Sequence, residues 1–382
     1  MNLLPADIDR DTRLDALRRA FREARGEARA GGAVRHRDVA VRLGVSEGEL
    51  IAAHVGAAAD GLTARRLLPR WPSVLASLPA VGDVMALTRN ASCVHEKTGR
   101  YEDVPAAPDD AAMGLVLGPD IDLRLFYRRW AHGFAVEERS PQASRPVQRS
   151  LQFFDATGTA VHKVFAREGT STDAWLDLVT RFADARQRPG LLATVPEARP
   201  AETPDARIDV GAFRRDWAAL RDTHDFFPLL RRHGVTRTQA LRLAEPRFAH
   251  RVDDGCAREL LRMASEDGTS IMVFVGNPGT IQIHTGPVRR VEVTGSWLNV
   301  LDRGFNLHLR EDHIAASWLV RKPTADGLVT SLELFDAAGE TIAMFFGERK
   351  PGRPELCAWR RITARLAGDP AWARGEEACG AC

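Results

Sequence analysis

The sequence predicts an α+β protein made by internal duplication, with two halves that are each built on a large antiparallel sheet flanked by helices. Three observations predict it. Ser150-Leu-Gln-Phe-Phe-Asp-Ala-Thr-Gly158 reads against Ser331-Leu-Glu-Leu-Phe-Asp-Ala-Ala-Gly339, and at a constant offset of 181 Ser150, Leu151, Phe154, Asp155, Ala156, Gly158 and Phe165 recur identically. Upstream and in the same order, VMALTRN (84–90) faces IMVFVGN (271–277), and DLRLF (122–126) faces NLHLR (306–310). Each half then closes on a stretch with helical apolar spacing, residues 171–185 in the first and 355–368 in the second.

Taken in order, residues 1–78 read as an N-terminal helical segment attached to the first repeat. Within it, residues 39–50 resemble half of a helix-turn-helix: a helix, a Gly44 turn, a Ser46 N-cap and a second helix. That second helix begins Ser46-Glu-Gly-Glu-Leu-Ile51, acidic to apolar, whereas a helix that reads base edges is basic. A helical cap on the first domain is therefore expected, with DNA reading as the rival. The first repeat spans 79–186. In it, and again in the second repeat, an apolar run, an Asp-to-Gly turn and an alternating run spell a hairpin. Pro189, Pro196, Pro200 and Pro204 mark residues 187–207 as a linker. Residues 208–382 hold helices and the second repeat. Phe213, Trp217, Leu220, His224 and Phe227 step by 4, 3, 4 and 3, which predicts one helical face with His224 in its middle and Pro228 ending or kinking the helix.

Composition bounds the function. The 382 residues carry 53 Lys plus Arg against 51 Asp plus Glu, a net +2, so the chain is not basic overall for nucleic acid. No apolar run approaches the 18 or so residues of a membrane span, and the charged N-terminus lacks a signal core, so a cytoplasmic protein is expected. Cys93, Cys256, Cys357, Cys379 and Cys382 are few and scattered; no disulfide framework is expected, and a reducing compartment is the simplest reading. Cys379-Gly-Ala-Cys382 is half of a four-ligand zinc site at best and reads as a tail. Phosphate-loop, dinucleotide-fold, zinc-protease and serine-hydrolase motifs are absent from the sequence.

His224 remains the most informative residue. By spacing alone it is either a satisfied core histidine or a ligand, and a neutral imidazole on an aromatic wall suits an iron porphyrin. Here the stretches RNASCVHEKTG (89–99), DLRLF (122–126), LQFFDATGTAVHKVF (151–165), TDAW (172–175), LRDTHDFFPLLRRHGVTRTQAL (220–241), IMVFVGNPGTIQI (271–283), RKPTADGLVTSLELF (321–335) and AWRR (358–361) carry a resemblance. The sequence is similar to the bacterial cytoplasmic hemin-degrading or hemin-transport factor family, the HmuS, HemS, ChuS and PhuS group. The resemblance implies heme b in a cleft between the halves, with His224 as axial ligand of its iron. Arg124 would lie on the opposite face as the tentative catalytic group, Lys322 and Arg349 beside the propionates, and Phe274 in the pocket wall. Phe346 stands where the family often has Tyr, and His284 where an aromatic is common; His95 matches a frequent family histidine. The implied function is cytoplasmic heme binding in heme-iron uptake and utilisation, for trafficking or for oxidative degradation that releases iron. A heme importer or heme oxygenase is the implied exchange partner, with an electron donor if the protein is an enzyme. The alternative is a heme-responsive DNA-binding regulator.

Overall fold

The repeated Asp-to-Gly tetrapeptides are the turns of two matching hairpins. A computed structural model describes residues 9–27, 35–57, 61–139, 147–349, 352–369 and Trp372. In it the strands β1 (Leu62–Arg66), β2 (Gly82–Arg89), β3 (Cys93–Gly99), β4 (Gly114–Leu117), β5 (Asp122–Leu125), β6 (His132–Glu138), β7 (Gln148–Phe154) and β8 (Ala160–Thr170) accompany helices α1 (Arg10–Glu27), α2 (His36–Leu43), α3 (Glu47–Ala53), α4 (Trp71–Ala76) and α5 (Thr172–Phe182). There follow α6 (Val210–Ala218), α7 (Phe226–His233), α8 (Arg237–Leu243), α9 (Cys256–Asp267) and α10 (Cys357–Ala367). With them come β9 (Ala249–Val252), β10 (Ile271–Asn277), β11 (Thr280–Gly286), β12 (Val291–Thr294), β13 (Trp297–Asp302), β14 (Phe305–Arg310), β15 (Ala316–Thr324), β16 (Gly327–Phe335) and β17 (Thr341–Gly347). The fold is α+β, two large antiparallel sheets flanked by helices.

The chain forms two compact units. One comprises residues up to Arg89, Glu96–Glu197 and Asn277–Ile281; the other comprises Asn90–His95, Ala198–Gly276 and the chain from Gln282. In the first, the strands lie in the order β1-β6-β7-β8-β2. In the second the order is β9-β15-β16-β17-β10, the same arrangement strand for strand. Asp155 Oδ1 accepts from the Thr157 and Thr159 amides at 2.9 and 3.0 Å; Asp336 Oδ1 accepts from Ala338 and Glu340, both at 2.9 Å. Gly158 (φ 77°) and Gly339 (φ 75°) take the left-handed conformation that closes each turn. Even the β-bulges correspond, at Phe153/Phe154 and Leu334/Phe335.

The duplication reaches further upstream than the strand motifs. Helix α2 ends on Gly44 (φ 68°) and Ser46 caps α3 through the Glu49 amide; α7 ends on Gly234 (φ 62°) and Thr236 caps α8 through the Gln239 amide. Each cap satisfies an amide that the helix cannot, worth about 1 kcal/mol. The helix-turn-helix-like segment is thus one copy of a unit whose second copy adjoins His224. Residues 187–204 hold no helix or strand, and a short 3-10 turn, Asp205–Arg207, closes the proline-rich stretch.

Two expectations are corrected. Phe213 to Phe227 do not share one helix: α6 stops at Ala218, and Asp222 is extended (φ −141°, ψ 139°) before a short 3-10 turn over Thr223–Asp225. Its side chain takes the His224 amide, which favours a separate turn over a continued helix. Phe226 is buried, whereas Phe227 is 64% exposed. Pro228 ends no helix; it is the third residue of α7, where a missing N–H costs nothing. Cys93 and Cys256 are free and buried, and Cys357 is disulfide-bonded. Cys379 and Cys382 lie outside the described residues. No helix among the described residues is long and apolar enough to cross a membrane.

One buried acid makes the second unit sensitive to pH. Glu355 accepts from the Thr330 amide at 2.6 Å; burial pushes its carboxyl up to about 7, against that bond and the Arg360 and Arg349 charges. Between the ordinary value of 4.5 and about 7, the unfolded chain is ionised here while the folded chain holds its proton. Stability therefore falls as pH rises through that window, by roughly 3 kcal/mol in all. Denaturant midpoints measured across the window are expected to decline in the wild type and to flatten in Glu355→Gln.

Candidate functional site

The break before α7 puts His224 on a tight turn instead of a helix face. Asp222 Oδ1 accepts from the His224 amide at 2.9 Å and lies 2.7 Å from its Nδ1. The His224 amide bond, then its imidazole and the Arg349 charge, hold the Asp222 carboxyl below its ordinary value. A carboxylate only accepts, so Nδ1 carries the proton of that bond, and the neutral ring in this tautomer keeps its lone pair on Nε2. The His224 side chain is 90% exposed, which makes this an open nitrogen donor oriented by a carboxylate, the usual arrangement of a metal-ligating histidine.

The turn is fastened to the core by the residue that follows it. Phe226 meets Trp217 edge to face at 4.6 Å, and the Trp217 indole donates to the Arg321 carbonyl at 3.0 Å. Lys322 Nζ and Arg237 Cζ lie 4.7 and 5.2 Å from the Phe226 ring centroid. Both cations belong to Glu333. Arg237 donates to it twice at 2.7 Å and Lys322 once at 2.8 Å. Burial alone would raise the Glu333 carboxyl, but Arg237 and Lys322 hold it far below its ordinary value.

Beside this cluster, Phe274 and Phe346 pack edge to face at 5.0 Å. Met272 pairs with Phe346 and Phe274 with Met344, so these four half-buried side chains share one face of the β10–β17 pair. Lys322 Nζ lies 5.9 Å from the Phe346 ring, and half-buried Arg349 follows β17 within electrostatic reach of Asp222. His224, Phe274, Lys322, Phe346 and Arg349 thus belong to one neighbourhood in the second unit. Lys322 differs from its expected setting: it is buried, with its ammonium committed to Glu333.

Arg124, His284 and His95 lie on β5, β11 and β3. Arg124, in the first unit, is ion-paired with Asp122 and donates to the Leu123 carbonyl at 3.2 Å. On the neighbouring strand it faces Leu115, where Met113, Leu115 and Leu117 are exposed. His95 and His284 are buried against Phe305, with ring centroids 5.0 and 3.8 Å away and His284 stacked parallel. Helix α3 has no free face to lay in a DNA groove: all its residues but Glu49 are buried, and Glu47 pairs with Lys163. Sequence reasoning missed Asp222, Arg237 and Glu333. A signal existed for Glu333, the one acid in an apolar strand run, at the position where the first repeat has Gln152.

Fold and site together define a duplicated α+β protein that presents a carboxylate-oriented histidine beside an apolar, cation-flanked strand face. The family model described as the haemin-degrading HemS.ChuX domain matches residues 44–182 and 234–366, and the chain belongs to that family. The two matches begin at Gly44 and Gly234, the glycines that end α2 and α7. Over 334 residues the chain is 42% identical to the hemin transport protein HmuS of Yersinia pestis, covering 86% of this chain and 92% of that one. Holo-PhuS, a heme-binding protein from Pseudomonas aeruginosa, matches with 48% identity and a TM-score of 0.87, over 92% of this chain and 99% of that one. The Escherichia coli O157:H7 heme degrading enzyme ChuS matches with 36% identity and a TM-score of 0.82, over 92% and 99%.

Proposed function

We propose that this protein binds heme b in the cytoplasm and serves heme-iron utilisation, receiving imported heme for transfer or for oxidative opening of the ring. The observation that carries the reading is His224, exposed and with Nδ1 held by Asp222, in the same unit as the apolar face of Met272, Phe274, Met344 and Phe346, to which Phe226 and Lys322 link its turn. Heme is a flat apolar disc with an iron that takes an axial nitrogen and two carboxylates at one edge. His224 Nε2 would ligate the iron, Phe274 and Phe346 would line the ring, and Arg349 would face a propionate. Lys322 would contribute positive charge from behind Phe346 while its ammonium stays on Glu333. With Phe at 346, the propionate end offers one hydroxyl fewer than a Tyr would. The relatives' descriptions support both outcomes for the bound heme, transport in HmuS and degradation in ChuS. An importer or a heme oxygenase would be the exchange partner, and an electron donor is needed only for degradation.

Hemin titration followed by addition of a reductant tests the reading, with catalase present throughout. A saturable Soret band is expected, and its absence sinks the proposal. Conversion to a defined tetrapyrrole product under catalase assigns degradation to this chain. Heme that persists under catalase, and is destroyed only by free peroxide, assigns it transfer.

A further inference from the structure

We propose that Glu333 is the positioning residue for His224: it gathers Arg237 and Lys322 against the ring of Phe226, and Phe226 pins the turn from which His224 projects. The inference rests on the heme reading of His224 and deepens it. Glu333 is fully buried on β16, and its Oε1 also accepts from the Ser331 hydroxyl at 3.0 Å. Two cations held by one carboxylate converge on a single phenyl ring, which also meets Trp217 edge to face. Phe226 directly follows the 3-10 turn, so its position sets where the turn leaves the core.

The duplication supplies an internal control. Register puts Gln152 opposite Lys163 as it puts Glu333 opposite Met344, and Glu138 opposite Gln148 as it puts Lys322 opposite Val329. Glu47 and Arg237 are each the residue after the capping Ser46 or Thr236, and His36 and Phe226 each open the eight-residue helix before it. Arg237, Lys322, Glu333 and Phe226 therefore answer to Glu47, Glu138, Gln152 and His36. In the first unit the charges are inverted: Glu47 pairs with Lys163, and His36 lies 3.2 Å from Glu138. The turns, caps and bulges are kept in both copies, so this fold is built with either set of charges. What distinguishes the second copy is the segment before the helix. It holds His224 there, whereas residues 28–35 include no histidine.

Glu333→Gln is the test, since it keeps the shape of the side chain and removes its charge; the first repeat carries glutamine at this position, Gln152, which donates to Ser150. In the heme-free protein, amide exchange at residues 222–226 is expected to accelerate while α9 and α10 keep their protection. In the hemin complex, transfer to apomyoglobin is expected to run about 10- to 100-fold faster, the usual effect of losing a residue that orients a ligand. The iron–histidine stretching band of the ferrous complex should shift or broaden, which a loss of bulk stability would not produce. If Glu333→Gln fails to fold, Phe226→Leu decides, because it leaves the charges intact and should give the same three changes. Wild-type exchange, transfer rate and band position in the folded variant would overturn the proposal. If His224→Ala leaves the hemin spectrum unchanged, the ligand assignment is what fails; the exchange at residues 222–226 still decides the role of Glu333.

Discussion

His224→Ala is expected to weaken hemin binding by more than about 100-fold while leaving the fold intact. Losing an orienting partner of a metal ligand costs up to about 100-fold, and losing the ligand itself costs more. The imidazole is 90% exposed and its partner Asp222 sits on the same turn, so its removal opens no cavity. The denaturant midpoint should accordingly stay within the ±0.5 kcal/mol or so of an ordinary surface substitution. A displaced Soret band, faster hemin transfer and partial recovery on adding free imidazole are the readouts. An unchanged spectrum would remove His224 from the iron.

Trp217→Ala is expected to have the largest effect on stability. The indole is 1% exposed, stacks on Phe248 at 6.1 Å, meets Phe226 at 4.6 Å and donates to the Arg321 carbonyl. Truncating such a side chain costs about 3–5 kcal/mol through lost burial and the cavity left behind. The orphaned carbonyl adds roughly 1–3 kcal/mol unless water reaches it. Urea unfolding measures the loss, and a change below about 1 kcal/mol would show that the site collapses around the deletion. Hemin affinity should fall too, since Phe226 loses the surface it rests on.

How far the chain could be read without coordinates depended on the range of the interactions. The hairpins at Asp155–Gly158 and Asp336–Gly339 were legible because an Asp and a glycine with positive φ are local requirements. The matched cap at Thr236 was equally local, and RHGVTRTQAL against RLGVSEGEL carries it, but a charge reversal at the first helical residue hides the likeness. The helical stripe through His224 was misread because 3.6-residue spacing continued past Ala218, where the helix stops, and Asp222 then holds the His224 amide in a separate turn. Glu333 could be singled out by composition, but its partners on β15 and α8 could not. Those contacts depend on which strands and helices pack, and no local spacing encodes them.

By itself, the sequence determined the duplication, the α+β class and the two hairpins, and it nominated a linker and the candidate residues His224, Arg124, Phe274, Lys322, Phe346 and Arg349. All of these follow from short-range patterns or from the family resemblance those patterns carry. Only the tertiary structure decided that His224 stands on an exposed turn with Asp222 at Nδ1, that Phe226 and not Phe227 is buried, that Lys322 is committed to Glu333, and that α3 is buried. The physical reason is common to all four. Exposure and charge pairing are properties of neighbours distant in the chain, and a residue's own window does not contain them.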